Sequence, residues 1–148
     1  IYVKNMEDDS KITFLGKDCV DPDLQEVWAS LSQDDLIDSN AFWSPDGDQL
    51  LFGLSVRNVG TWEATYSSQM IFSNEGEKIF TLPESDASDF GPPVVTWSPD
   101  SKYFLFGSVD AADIWDAVNF KIVHSVFLPP ILKEIDISGN IDKIFWVE

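Results

Sequence analysis

The sequence predicts an all-β fold built from repeated, four-stranded antiparallel sheets. Residues 41–52 read AFWSPDGDQLLF and residues 95–106 read VTWSPDSKYFLF, so one pattern occurs twice. Its apolar stretches are short and are separated by turn-forming residues, which is typical of strands. The spacing of Trp43 and Trp97 matches the length of one such sheet with its connections. The chain therefore contains a repeated sheet unit.

The repeated Trp-Ser-Pro-Asp sequence predicts a hairpin turn between two strands. Proline fixes φ near the value required at the second position of a type I turn, and the following aspartate suits the third position. Gly47 can adopt the left-handed conformation after the turn, whereas the second copy has Ser101 there, so we expect the second turn to be more strained. The predicted turn residues are Trp43, Pro45, Asp46 and Gly47 in the first copy and Trp97, Pro99 and Asp100 in the second.

The region before the first motif predicts a hairpin and a linker. Residues 1–15 form the hairpin, which we interpret as the second half (strands c and d) of a sheet unit whose strands are lettered a to d. Residues 16–40 form a polar linker with one short helix. Asp21 is a favourable N-cap, and proline suits the first helical position. Apolar residues at helical spacing place the helix over about Pro22–Leu31, namely Leu24, Val27, Trp28 and Leu31.

Residues 41–82 contain one complete sheet unit. Its first two strands flank the hairpin turn, and we expect a long connecting segment, Leu54–Ser68, before the third strand. The sequence Ser-Asn-Glu-Gly then predicts a tight turn in which Gly76 takes the positive φ that such turns need. The third and fourth strands are predicted at Gln69–Phe72 and Lys78–Leu82.

A second complete unit is predicted at residues 94–127, after a connection at residues 83–93 that contains two adjacent prolines. Its third strand ends at Asp116, and its fourth spans Lys121–Phe127. Residues 134–147 then repeat the first half of a unit (strands a and b) without the Trp and Pro of the motif. The chain therefore contains two whole units and two half units.

The charge balance limits the classes of partner. The chain has 9 Lys and Arg residues against 26 Asp and Glu residues, which gives a formal net charge of -17. This charge argues against binding to nucleic acid or to an anionic membrane through a basic face. No apolar run approaches the roughly 18 residues of a membrane helix. The acidic surface either keeps an aromatic-rich protein soluble or serves a basic partner or bound cations.

The sequence offers no recognisable catalytic or metal site. His124, the sole histidine, falls in a predicted strand, and no Gly-x-Ser-x-Gly elbow accompanies the serines. A lone Cys19 excludes a disulfide framework and a multi-cysteine zinc site. Pairs such as Asp46 and Asp48 offer oxygen ligands for calcium, but none fits the spaced Asp-x-Asp-x-Asp-Gly loop. We therefore predict no enzyme activity, no metal and no cofactor.

The two Trp-Ser-Pro-Asp motifs resemble the β-propeller repeats of the WD40 and TolB-like group. The string Gly-Ser-Val-Asp at residues 107–110, followed by Ile-Trp-Asp at residues 114–116, resembles a WD40 repeat in particular. The resemblance implies that each sheet unit is a propeller blade and that Asp110 occupies the Asp position of a tight turn. The Gly-His pair of many WD40 repeats is absent, so the buried His-to-Asp network of that family is not carried over to His124.

The order of the strands predicts about three blades, one of which is split between the two ends of the chain. Propellers typically use four to eight blades. One hypothesis is that two chains form a homodimer, in which each completes the split blade of the other and a six-bladed ring closes. The alternative is that the chain is part of a longer propeller.

The best functional prediction is a non-catalytic scaffold for protein–protein interaction, with a partner of unknown identity. The loops of one propeller face would gather residues 55–67 and 83–93. The first of these contains Arg57, Trp62 and Tyr66, which are residue types that often anchor interfaces. Trp62 and Tyr66 either lie on this surface or extend the strands and pack in the core. The alternative function is a non-catalytic propeller portion of a peptidase or other hydrolase whose active site lies elsewhere.

Overall fold

A computed structural model describes residues 2–4, 11–13, 19, 21–83, 94–107 and 111–127. The chain divides into two compact units. The first unit comprises Ile1–Ala41 and Gln49–Leu82, and the second comprises Phe42–Asp48 and Pro83–Glu148. The described residues form ten strands and one helix, so the predicted all-β fold is confirmed.

The N-terminal elements are a hairpin and a helix. The antiparallel strands β1 (Tyr2–Lys4) and β2 (Lys11–Thr13) form the predicted hairpin. Helix α1 (Pro22–Ser30) starts after Asp21, whose side chain accepts hydrogen bonds from the first-turn backbone amides of Asp23 (3.0 Å) and Leu24 (3.2 Å). The predicted N-cap and helix are therefore confirmed. The assignment of the hairpin to half a blade stays a prediction.

The first four-stranded sheet has the strand order β3-β4-β5-β6 and is antiparallel. Its strands are β3 (Asp35–Trp43), β4 (Gln49–Asn58), β5 (Ala64–Ser73) and β6 (Lys78–Thr81). A turn with Gly76 at φ 88° joins the last two strands, as predicted. This meander of four strands is the arrangement of a propeller blade.

Two predicted boundaries in this region were wrong. The linker was expected to extend to residue 40, but β3 already begins at Asp35. This strand lies at the edge of the sheet, where polar side chains remain in contact with water. The expected connecting segment Leu54–Ser68 is mostly strand, because β4 continues to Asn58 and β5 begins at Ala64. The alternation from Leu54 to Arg57 is the pattern of a half-buried strand.

The core of the first unit forms between one face of this sheet and helix α1. The buried strand residues are Leu50, Phe52, Leu54, Met70 and Phe72, and they pack with Cys19 and Leu24. Lys78 of β6 forms ion pairs of 2.7 Å with both Asp21 and Asp23. The helix is therefore attached to the sheet by apolar packing and by a charged contact at its N-terminus.

The second sheet has the strand order β10-β9-β8-β7 and is also antiparallel. Its core contains three aromatic side chains: Phe104 stacks on Trp115 with ring centroids 6.1 Å apart, and Trp97 lies 5.1 Å from Phe104. The second unit was predicted at residues 94–127, and the four strands of this sheet lie within that range. Its strands are β7 (Val94–Trp97), β8 (Tyr103–Gly107), β9 (Ala111–Asp116) and β10 (Lys121–Phe127).

Both Trp-Ser-Pro-Asp motifs form the predicted turns. The Gly47 amide donates to the Ser44 carbonyl at 2.9 Å, and the Ser101 amide donates to the Ser98 carbonyl at the same distance. Gly47 has a φ of 79° and Ser101 a φ of 59°. The second turn therefore holds a side chain in the left-handed region, and the expected strain is present.

The two turns also contact each other, and this contact lies inside the second unit. The Trp97 indole N–H donates to the Phe42 carbonyl at 3.0 Å. The Asp46 amide donates to the Ser101 hydroxyl at 3.1 Å. Each copy of the motif therefore connects two strands and also contacts the other copy.

Three sequence predictions lie outside the described residues. They concern Asp110, the connection at residues 84–93 and the half unit predicted at residues 134–147.

Candidate protein-interaction site

The loop between β4 and β5 displays a tryptophan at its tip. We define residues 59–63 as the Trp62 loop. Trp62 is 66% exposed and Val59 is 48% exposed. The backbone of Trp62 has a φ of 62°, in the left-handed region that residues other than glycine rarely adopt. The loop thus holds a large aromatic side chain in solvent on a strained backbone, a combination that is common at functional sites.

Backbone and side-chain hydrogen bonds fix the conformation of the Trp62 loop. The Trp62 amide donates to the Asn58 carbonyl at 2.7 Å, and the Asn58 amide donates to the Glu63 carbonyl at 3.0 Å. The Asn58 side-chain oxygen accepts from the amides of Gly60 (2.9 Å) and Thr61 (3.2 Å). An asparagine in this role is typical of tight turns. The exposed indole is therefore carried by an internally bonded loop.

The base of the hairpin connects the loop to the core. Tyr66 pairs with the buried Val56 and packs against the core of the first unit. Burial raises the pKa of the Tyr66 hydroxyl. Beyond this pair the register shifts, so that Arg57 lies opposite Ala64. Such a bulge changes the direction of the strand close to the loop.

The structure brings the three predicted contact residues into one hairpin but at different depths. Trp62 lies at the exposed tip, Arg57 is half-buried in the stem, and Tyr66 is half-buried beside the core. Trp62 is therefore the residue of the three that is most accessible to a partner. Whether Arg57 and Tyr66 contact a partner remains a prediction.

Two exposed acidic residues lie in the Trp62 loop or are bonded to it through the backbone. Glu63 is part of the loop, and the carbonyl of Asp34 accepts a hydrogen bond from the Val59 amide at 2.8 Å. Both side chains are exposed, and within the described part of the chain their carboxylates form no ion pair or hydrogen bond. The neighbouring Asp35 differs, because its carboxylate accepts bonds from the amide (2.8 Å) and hydroxyl (2.9 Å) of Ser32.

The aspartates of the two turns are occupied by the turns themselves. The Asp46 carboxylate accepts from the Ser44 hydroxyl at 2.6 Å and from the Asp48 amide at 3.1 Å, and the Ser44 bond is the main cause of its lowered pKa. In the second copy, bonds from Lys102 and Ser98 lower the pKa of Asp100 to about 2. These bonds account for the aspartates without a ligand.

The remaining titratable candidates are not part of the Trp62 loop. Burial raises the pKa of the Cys19 thiol, which therefore stays protonated and is a poor nucleophile at neutral pH. His124 is exposed on the edge strand β10.

Across the described ranges, no group of three or more His, Cys, Asp and Glu side chains is placed to hold a metal ion. None of the described helices is long and apolar enough to cross a membrane.

Sequence reasoning missed two features of this site. The first is the left-handed backbone of Trp62, for which a tryptophan gives no local signal. The second is the position of Asp34, which is distant in sequence and reaches the loop through a backbone bond from Val59. The sequence Asn-Val-Gly-Thr, which starts at the last residue of β4, does carry a turn signal, and it would have placed the loop more accurately than the longer segment that we expected.

Comparison with known proteins gives a partial sequence match. No protein-family model matches the chain. Over 53 residues the chain is 47% identical to WD repeat-containing protein 1 from Mus musculus, a match that covers 35% of this chain and 9% of that protein. Solved structures are also similar to this chain, and two of them follow with their TM-scores. A crystal structure of the eukaryotic initiation factor has a TM-score of 0.37 and 16% identity and covers 62% of this chain and 31% of its own.

The second structure is KlHsv2 with loop 6CD replaced by a Gly-Ser linker, which has a TM-score of 0.33 and 12% identity. The similarity covers 59% of this chain and 38% of that one. The chain thus spans a small part of the length of the curated relative that it matches. The sequence match supports the presence of a WD40-like repeat in this chain.

Proposed function

We propose that this chain is a non-catalytic, propeller-type scaffold that binds another protein through the Trp62 loop. The observation that carries the proposal is the Trp62 side chain, 66% exposed at the tip of a loop whose backbone is internally hydrogen-bonded. Propellers host many activities, so the proposal depends on this site and not on the fold. The similarity to a WD repeat protein supports the repeat architecture on which the loop is presented.

Two physical arguments favour a binding role for this side chain. Tryptophan is among the residue types that contribute most to binding energy at protein interfaces. A loop that is already ordered loses little conformational entropy when it binds, so more of the contact energy appears as affinity. Both conditions are met by Trp62, whereas Tyr66 already contributes to the core.

The test is affinity capture with the wild-type chain, a Trp62→Gly variant and a Trp28→Ala variant. Trp28 is 44% exposed on helix α1 and serves as a matched control for the loss of a surface tryptophan. The partner is sought in lysates of cells that express this chain. We expect the wild type and Trp28→Ala to capture one protein that Trp62→Gly does not capture. Calorimetry with that purified protein would then confirm direct binding. Equal capture by all three chains would refute the proposed function.

A further inference from the structure

We propose that the Trp62 loop binds an arginine-containing, positively charged segment of its partner. This inference deepens the proposed function and rests on it. The structural basis is an exposed indole and an exposed valine in one loop, together with two acidic residues, Glu63 in the loop and Asp34 bonded to it through the backbone, whose carboxylates form no ion pair within the described residues.

The exposed apolar surface of the loop suits the side chain of arginine. A guanidinium group stacks on the face of an aromatic ring, and tryptophan gives the strongest such contact. The aliphatic part of an arginine side chain also needs an apolar surface. Val59, which is 48% exposed and three positions before Trp62 in the same loop, provides that surface. An acidic or neutral aliphatic partner would use only part of these features.

The charges around the loop favour a cation over an anion. Glu63 follows Trp62 directly, and the Asp34 backbone is bonded to Val59, so both acidic residues adjoin the exposed indole in the chain or through a backbone bond. The one basic residue in the stem is Arg57, which is half-buried. The chain as a whole has a formal net charge of -17, which attracts a basic segment over a long range and repels nucleic acid and anionic membranes.

The first experiment uses NMR to follow the indole N–H signals of the six tryptophans. A Trp62→Phe variant assigns the Trp62 signal, and a Trp28→Phe variant assigns a control signal. The probes are a synthetic peptide of alternating Arg and Gly, the same peptide with citrulline in place of Arg, and the same peptide with Glu. Citrulline keeps the size and most hydrogen-bond donors of arginine but has no charge.

We expect the Arg peptide to shift the Trp62 signal, and its affinity to fall as salt concentration rises. We expect the affinity for the citrulline peptide to be lower than that for the Arg peptide by a factor of about five or more, because the contact is made by the cation. For the same reason we expect the Glu peptide not to bind. A Trp62→Ala variant has no Trp62 indole signal, so calorimetry measures its binding, and we expect its affinity for the Arg peptide to be lost. In the double variant Asp34→Asn, Glu63→Gln, the affinity for the Arg peptide should fall severalfold and the affinity for the citrulline peptide should stay unchanged.

Each contrary result has a defined meaning. Equal shifts of the Trp62 and Trp28 signals would show non-specific attraction to an acidic protein and would overturn the inference. Equal affinity for the Arg and citrulline peptides would also overturn it, as would the absence of any shift. These results leave the proposed function standing if capture of a protein partner still depends on Trp62. Capture that is independent of Trp62 would refute the proposed function itself.

Discussion

Replacing Trp62 separately by glycine and by alanine tests whether its backbone is strained. At most positions a glycine variant has a free energy of unfolding about 0.5–1 kcal/mol lower than the alanine variant, because glycine loses more backbone freedom on folding. Trp62 has a φ of 62°. In this region a residue with a Cβ carries roughly 1–2 kcal/mol of strain that glycine does not carry. We therefore expect Trp62→Gly to be more stable than Trp62→Ala by about 0.5–1 kcal/mol.

The comparison with the wild type adds the loss of side-chain burial. A fully buried tryptophan covers about 150–250 Å², so the buried third of Trp62 amounts to about 50–80 Å². At about 25 cal/mol per Å², this burial is worth about 1–2 kcal/mol. We expect Trp62→Ala to lose about that much stability and Trp62→Gly to lose about 1 kcal/mol or less.

The assay is urea denaturation of both variants, compared at equal m-values. Trp28 provides the matched control, because it is also an exposed tryptophan but lies in helix α1. There we expect the opposite order, with Trp28→Gly less stable than Trp28→Ala by about 1 kcal/mol. If glycine is less stable than alanine at both positions, the backbone of Trp62 is not strained and the reasoning is refuted.

Two further predictions concern charged side chains. Lys78→Met should lower the free energy of unfolding by about 1–3 kcal/mol, because it leaves the buried Asp21 carboxylate without its cation. Asp23→Asn removes an exposed partner of the same lysine and should cost at most about 0.5 kcal/mol, so equal losses in urea denaturation would contradict this reasoning. The pKa of Asp100 is lowered to about 2, and the largest cause of this lowering is the hydrogen bond from Lys102. The stabilisation by this depressed pKa is present above the ordinary Asp value near pH ~4 and is lost as pH falls through about 2. In Lys102→Gln the NMR titration midpoint of Asp100 should rise, and an unchanged midpoint would exclude the ion pair as the cause.

The parts of the fold that sequence predicted correctly depend on local chemistry. The proline and aspartate of each motif specify a turn within four residues, and Asp21 caps a helix that follows it directly. The extent of the strands was predicted less well. Polar residues such as Ser55 and Arg57 look like loop residues when they are read singly, although one face of a strand accepts them.

The candidate site was predicted only in part for a similar reason. Residue type alone indicated Trp62 as a candidate contact, but its exposure depends on where β4 ends and β5 begins. Tyr66 has the same sequence signature and nevertheless packs against the core, because it pairs with Val56. Asp34 is connected to the loop by a hydrogen bond from the Val59 amide to its backbone carbonyl, which a linear pattern does not show.

The contact between the two turns is asymmetric, because the two copies of the motif contribute different groups. The earlier copy contributes backbone groups, the Phe42 carbonyl and the Asp46 amide, and the later copy contributes side chains, the Trp97 indole and the Ser101 hydroxyl. Gly47 has no side chain with which to accept such a bond, so the two copies are not interchangeable. The contact between the two turns therefore depends on one of the positions at which the copies differ, which is Gly47 in the first and Ser101 in the second.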